Sequence, residues 1–337
     1  MTLFLGSQLF ADRMNRRFNS STGALDGLQI GKPFIASILL NILPVQAQKE
    51  PFLRMFALIS LPTIYGVGLL GNLCSLFTMM SARFRGHSYA NYLAALALAD
   101  LGCSQIFFIP IPNYVLGYPY ITIKHDWCAI YTYIMNIPFY LGSYLVVFIA
   151  LERLILVLKP FTARILCTAK FARINTLCLT LASMAIPSYS LFIVKYEDHL
   201  GCYVSRLHQR IHFLFSVIMK YYIPAILIII FNIIIIANLQ KQKDFGSGEM
   251  KSAQTMRITM MLLSVSAMFT ATTFPPAISS TFTSLMKERP KYINRLNAIT
   301  NLIQSSNYAT NFYLYLLTGK EIRAHLFDKL RSCCRTR

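Results

Sequence analysis

The feature that most constrains this chain is a succession of seven apolar blocks, at about 56–80, 90–112, 127–158, 173–194, 212–239, 256–284 and 293–317. Each is long enough to cross a ~30 Å hydrocarbon core, which takes roughly 20 helical residues. Lipid offers the backbone no water to bond, so a spanning segment must satisfy its own N–H and C=O groups, and a helix does so. Several blocks contain glycine and proline, which spanning helices tolerate because neighbouring helices satisfy the freed groups. A buried helix of a soluble protein does not recur seven times without a polar face. Composition agrees: 55% of residues are hydrophobic and 13% charged, where a soluble domain carries about 25% charged. The expected fold is an all-α membrane protein, a seven-transmembrane helix bundle with a short amphipathic helix after the seventh block. Residues 1–55 form an extracellular segment, 56–317 the bundle, and 318–337 a cytoplasmic helix and tail.

A net charge of +19 raises the question of nucleic acid. The basic residues lie between the apolar blocks, with no aromatic-interleaved RNA motif and no DNA-binding module, so nucleic acid is excluded as a partner. Their place is against lipid headgroups and intracellular partners. The connectors at 81–89, 158–172 and 240–257 and the tail at 318–337, counted with the adjoining Arg173, hold sixteen Lys and Arg against eight on the opposite connectors. The positive-inside bias puts the C-terminus in the cytosol, and seven crossings put the N-terminus outside. Asn19-Ser20-Ser21, a glycosylation sequon, agrees weakly. The apolar run at 34–47 fits a signal-like segment ending in Val45-Gln46-Ala47, an interfacial segment, or a start codon placed too early.

Two cysteines and one arginine give the bundle its ends. Cys128 opens the third block and Arg153 lies 25 positions on, ~37 Å along a helix. One helix therefore carries a cysteine at one membrane face and Glu152-Arg153 at the other. Cys202 lies in the longest outer connector, in the same oxidising compartment as Cys128. A Cys128–Cys202 bond is expected, with two free thiols as the alternative. Asp100 is deep in the second block, where a charge is expensive and should face the bundle interior. Asn72, Asn307 and Asn311 are the groups expected to meet it. Such a cluster holds a sodium ion or a proton, or is a structural network alone.

Taken in order, these landmarks identify a resemblance to the rhodopsin-like receptor family over nearly all of residues 56–333. Its matching elements are Gly71-Asn72, the Leu-Ala-x-x-Asp pattern ending at Asp100, Cys128 with its offset to Glu152-Arg153-Leu154, Pro224, Phe269 to Pro275, and Asn311 to Tyr315. The resemblance implies an extracellular ligand, coupling to a heterotrimeric G protein, and roles in activation for Glu152, Arg153, Asn311 and Tyr315. The departures are specific. Thr272-Thr273 stand where Cys-Trp is usual, Phe312 replaces the proline of Asn-Pro-x-x-Tyr, Asn232 stands where a tyrosine is common, and Thr255 where many members place an acid. The helix 7 ending NYATNFYLYLLTGKEIR resembles FMRFamide-type neuropeptide receptors, which implies a peptide ligand. A chemosensory receptor for small molecules shares the fold and remains the alternative.

The ligand pocket expected from that resemblance is lined by Met135, Asn136, Phe139 and Tyr140 with Asn297, Asn301 and Gln304. Met135 stands where an amine receptor needs an acid and Ser305 where an opsin needs a lysine, so neither ligand is expected. Lys220, one turn before Pro224, either pairs with a ligand carboxylate or a neighbouring acid, or snorkels towards the headgroups. Beyond the seventh block, residues 319–327 read as an amphipathic helix with Ile322, Leu326 and Phe327 on one face. Cys333 and Cys334 are candidates for palmitoylation. Neither a repeated half, as in a transporter, nor a metal cluster, phosphate loop or Ser-His-Asp order appears. No enzyme activity and no cofactor are expected, a sodium ion near Asp100 aside.

Overall fold

The computed structural model describes residues 51–108, 127–197, 201–204, 206–244, 253–286 and 291–335. The sequon, the run at 34–47 and most of the N-terminal segment lie outside them. Seven long helices follow in chain order. The first three are α1 (Pro51–Met79), α2 (Ser88–Phe108) and α3 (Trp127–Leu158). Then comes α4, which runs as Ala169–Ala185, a 3-10 turn Ile186–Tyr189 and Ser190–Ile193. Helix α5 is continuous through Arg206–Val217, a π turn Ile218–Tyr222 and Ile223–Asp244. The last two are α6 (Ala253–Leu285) and α7 (Lys291–Thr318), and a further helix, α8, covers Lys320–Arg335.

Local chemistry accounts for several boundaries. Thr168 caps α4, its side chain accepting from the Phe171 N–H, which satisfies one of the free amides of the first turn. A short helix, Pro160–Leu166, fills the preceding connector and begins with its proline, where no N–H is missed. The π turn of α5 ends just before Pro224, whose ring would press on the Lys220 carbonyl in a regular α-helix. The wider turn relieves that clash.

Helix α3 is the axis. Of its most apolar stretch 56% is buried, against 17% for α4 and 22% for α5, and it packs on α2, α4, α5 and α6. Helix α1 packs on α2 and α7, at glycines. A Cβ on Gly68 would sit 3.1 Å from the Ala309 Cβ, and one on Gly71 3.1 Å from the Tyr313 ring. Small residues let membrane helices approach this closely. A core of Leu93, Leu96, Leu145, Ile149, Ile228, Leu262, Phe269 and Tyr315 joins α2, α3, α5, α6 and α7.

Among the described residues five helices are both long and apolar enough to cross a membrane; α2 and α7 are not among these five. Both carry a cargo of polar side chains. Asp100 and Ser104 on α2 and Asn297, Thr300, Gln304, Ser305, Asn307 and Asn311 on α7 are all buried. They face other helices rather than lipid, which is where intramembrane polar groups are sustained.

The connector between α4 and α5 carries a hairpin. Strands β1 (Val194–Glu197) and β2 (Gly201–Val204) pair antiparallel, with Tyr196 opposite Cys202, and β1 touches α3. At the other end α8 docks through Ile322, 2% exposed, while Phe327 on the same helix is 57% exposed. The face expected to be shared by Ile322, Leu326 and Phe327 is therefore split: Ile322 and Leu326 pack on the bundle core and Phe327 turns outward.

Candidate functional site

Three polar groups lie one above another along the bundle axis. At the end that carries Arg153, this side chain is 4% exposed and Glu152 6%, and the two form an ion pair. The Ser88 hydroxyl at the start of α2 donates to Glu152 Oε1 at 2.7 Å. The guanidinium carbon lies 5.9 Å from the centre of the Tyr89 ring, a cation–π distance. Arg153 Nε is buried without a partner among the described residues. The arginine is shut away from solvent and from any partner beneath it. In the adjoining connector the Cys167 thiol donates to the Glu152 carbonyl at 3.9 Å. Burial first, then the Glu152 carboxylate, push that thiol up to about 11. Ser88 and Tyr89 gave no sequence signal, since nothing in a lone Ser-Tyr pair names a partner 64 residues away.

Midway, Asp100 accepts from Asn311 Nδ2 at 2.7 Å, tying α2 to α7. Asn72 corrects an expectation: its amide donates to the Tyr308 carbonyl at 2.7 Å and makes no hydrogen bond to Asp100. That carbonyl lies four residues before Phe312, so it is the one a proline at 312 would leave free. Asn307 lines a cavity with Asp100, Ser143, Tyr308 and Asn311, and its Oδ1 has no partner among the described residues. The cavity measures about 10 Å³ for a water-sized sphere, at the lower edge of the ~10–15 Å³ a single water needs. A carboxylate, an amide oxygen without a donor and a hydroxyl make a donor set that suits a proton or a small hard cation. Ser143 belongs to this group and was not foreseen.

The third group lies in the half of the bundle that carries Cys128. Lys220, on the π turn of α5, points inward rather than snorkelling. Its ammonium donates to Asn136 Oδ1 at 2.8 Å and lies 5.8 Å from the centre of the Phe139 ring and 5.6 Å from that of Tyr140. Phe139 meets Tyr308 edge-on at 5.7 Å. Gln304 Nε2 donates to the hydroxyls of Tyr221 at 2.8 Å and Tyr308 at 3.1 Å. The structure thus brings Asn136, Phe139, Lys220 and Gln304 into one chain of contacts and adds Tyr221 and Tyr308. Met135 and Asn301 are half-buried on α3 and α7. Asn297 is engaged elsewhere, bonded to Ser279 and Thr283 of α6, so its amide serves the α6–α7 contact.

Where the resemblance failed, other polar contacts stand in. Asn232 and Ser266 exchange hydrogen bonds between α5 and α6 at 2.8 and 3.2 Å. Thr272 and Thr273 both turn back onto α6, donating to the Phe269 carbonyl, just ahead of Pro275 and Pro276. Cys128 is disulfide-bonded, whereas Cys74, Cys103, Cys167 and Cys178 are free. Cys202 sits on β2, and Cys333 and Cys334 on α8; these three side chains lie outside those described.

Comparison with known proteins accounts for this arrangement. The family model for the 7 transmembrane receptor (rhodopsin family) matches residues 71–315. Among similar proteins is a probable G-protein coupled receptor of Caenorhabditis elegans, 25% identical over 82% of this chain and 69% of the relative. The B1 bradykinin receptor of Macaca fascicularis is 22% identical over 80% of this chain and 81% of the relative. The FMRFamide receptor of Drosophila melanogaster is 28% identical over 77% of this chain, which covers 51% of that longer protein. With a buried Glu-Arg pair at one end, an Asp-Asn tie at its middle and a family match spanning most of its length, this chain belongs to the rhodopsin family of seven-transmembrane, G-protein-coupled receptors.

Proposed function

We propose that the chain binds a short extracellular peptide in the outer half of the bundle and transmits that event to a heterotrimeric G protein at the end that carries Arg153. The observation that carries this reading is the burial of Arg153 with Glu152 and Ser88: a charged group held closed at one end, with a polar, aromatic cluster around Lys220 and Gln304 near the other. A ligand shifts such an equilibrium only by binding one state more tightly. Bonds that cross from helix to helix, Lys220–Asn136, Gln304–Tyr221 and Asp100–Asn311, are the contacts through which occupancy of the pocket biases α5 and α7. A peptide ligand is supported by relatives named as bradykinin and FMRFamide receptors.

The remaining assignments follow from the same reading. The Cys128 half faces outward, Cys202 is the partner of Cys128, and the hairpin is thereby held over the pocket. Residues 1–55 are extracellular, 56–317 form the receptor domain, and 318–337 lie in the cytosol against anionic lipid. Cys333 and Cys334 are positions for lipid attachment, and the cavity beside Asp100 holds a proton or a sodium ion. The test is a library of short neuropeptides applied to cells expressing the chain, read by calcium and cyclic-nucleotide reporters. Activation by a peptide family is expected. A response confined to small volatile molecules would move the chain to chemosensory receptors.

A further inference from the structure

Lys220 has a charge that the described protein does not neutralise. The described carboxylates of α1–α7 are those of Asp100 and Glu152. Asp100 is bonded by Asn311 and Glu152 by Arg153 and Ser88. The ion pair between Arg153 and Glu152 is the one found among the described residues. Lys220 instead has a neutral amide oxygen at 2.8 Å and two aromatic faces. An ammonium offers three donors, and the Asn136 contact uses one. Desolvating a cation without a countercharge is expensive, and neither an amide nor cation–π contacts return the whole of that cost. An ionisable group inside a membrane protein in this condition marks a site whose partner comes from elsewhere.

We infer that the ligand presents a carboxylate to Lys220, seated between the Phe139 and Tyr140 rings with Asn136 orienting the ammonium. This rests on the outer half of the bundle being the ligand pocket and adds the chemistry of what enters it. The carboxylate is paired with an aromatic or aliphatic neighbour that packs on Phe139 and Tyr308. Two sources supply such a group, the free C-terminus of a peptide or an Asp or Glu side chain. A fully amidated peptide without an acidic residue does not.

The test uses the purified full-length receptor in lipid nanodiscs and needs no knowledge of the natural ligand. Its melting temperature is measured with millimolar N-acetyl-phenylalanine, with N-acetyl-phenylalanine amide, and with N-acetyl-aspartyl-phenylalanine amide. A charge-assisted bond predicts binding about ten- to a hundredfold tighter for a carboxylate than for the neutral amide. Stabilisation by the first acid assigns a terminal carboxylate, and by the aspartyl compound alone a side-chain one. Lys220→Met removes the preference. Asn136→Asp, which supplies an internal carboxylate, raises the melting temperature and abolishes the response to acids, so the inference stays testable should Lys220→Met fold poorly. The inference is overturned if no acid stabilises the wild type, if the amide does as well, if chloride alone matches the acids, or if both variants respond as the wild type does. A peptide screen that fails while the acids bind removes the peptide reading and leaves the anion site standing.

Discussion

Replacing Glu152 with alanine should loosen the closed state by an amount that can be worked from the structure. Arg153 is 4% exposed and its ion-pair partner is Glu152. Removing one member of a buried pair typically costs about 3–5 kcal/mol, because the other charge is left uncompensated. The Tyr89 ring remains under the guanidinium and returns about 1 kcal/mol. In an open state Arg153 reaches water and suffers little, so roughly 2–4 kcal/mol acts on the equilibrium between the two. That multiplies the open-to-closed ratio by about 30- to 700-fold. The assay is ligand-free nucleotide exchange on a panel of purified G proteins, alongside a fluorophore at the Arg153 end of α6. Glu152→Ala should raise basal exchange and shift the fluorophore, and Glu152→Asp should do less. A lowered melting temperature with basal exchange and fluorophore both unchanged would refute the reasoning, since Glu152 would then support the fold without holding the switch.

Other substitutions read the packing directly. Phe312→Pro should be tolerated with a loss well below the ~3 kcal/mol of a mid-helix proline, because Asn72 already donates to the Tyr308 carbonyl; in an Asn72→Ala background the same change should lower the melting temperature sharply. Gly68→Leu, forced against Ala309 at 3.1 Å, should cost about 1–3 kcal/mol, seen as lost surface expression, while Gly66→Leu, with nothing within 4 Å, should not. The Cys167 thiol, raised to about 11 by burial and Glu152, is neutral until pH approaches that value. Maleimide should therefore modify it at pH 8 about a hundredfold more slowly than a free cysteine, since the thiolate is the nucleophile. Glu152→Ala removes one of the two causes and should speed that reaction.

The spans were legible because lipid permits few solutions: an apolar run of ~20 residues becomes a helix whatever it packs against. The ends of α3, marked by Cys128 and Arg153, follow from the rise of a helix alone. What could not be read depends on contacts between distant residues. The hairpin Val194–Val204 consists of two four-residue strands, too short for alternation to stand out from a polar connector. The π turn changes the direction of Lys220 by one residue's rotation, so depth along α5 was readable and direction was not. Asn72 and Asn307 are both buried, yet which carbonyl or carboxylate each meets is set by helix rotation that hydropathy does not encode. Ser88 and Ser143 are common residues whose role appears only once α2 and α3 lie side by side.

The account stands or falls on Arg153 as the group through which a bound ligand reaches the G protein. The direct measurement is guanine-nucleotide exchange in membranes bearing the receptor and a heterotrimeric G protein, with an activating peptide added on the Cys128 side. Wild-type receptor should accelerate exchange when the peptide is added, and Arg153→Ala should bind the labelled peptide with little change yet leave exchange at its unstimulated rate. Peptide-driven exchange at the wild-type rate in Arg153→Ala would contradict it.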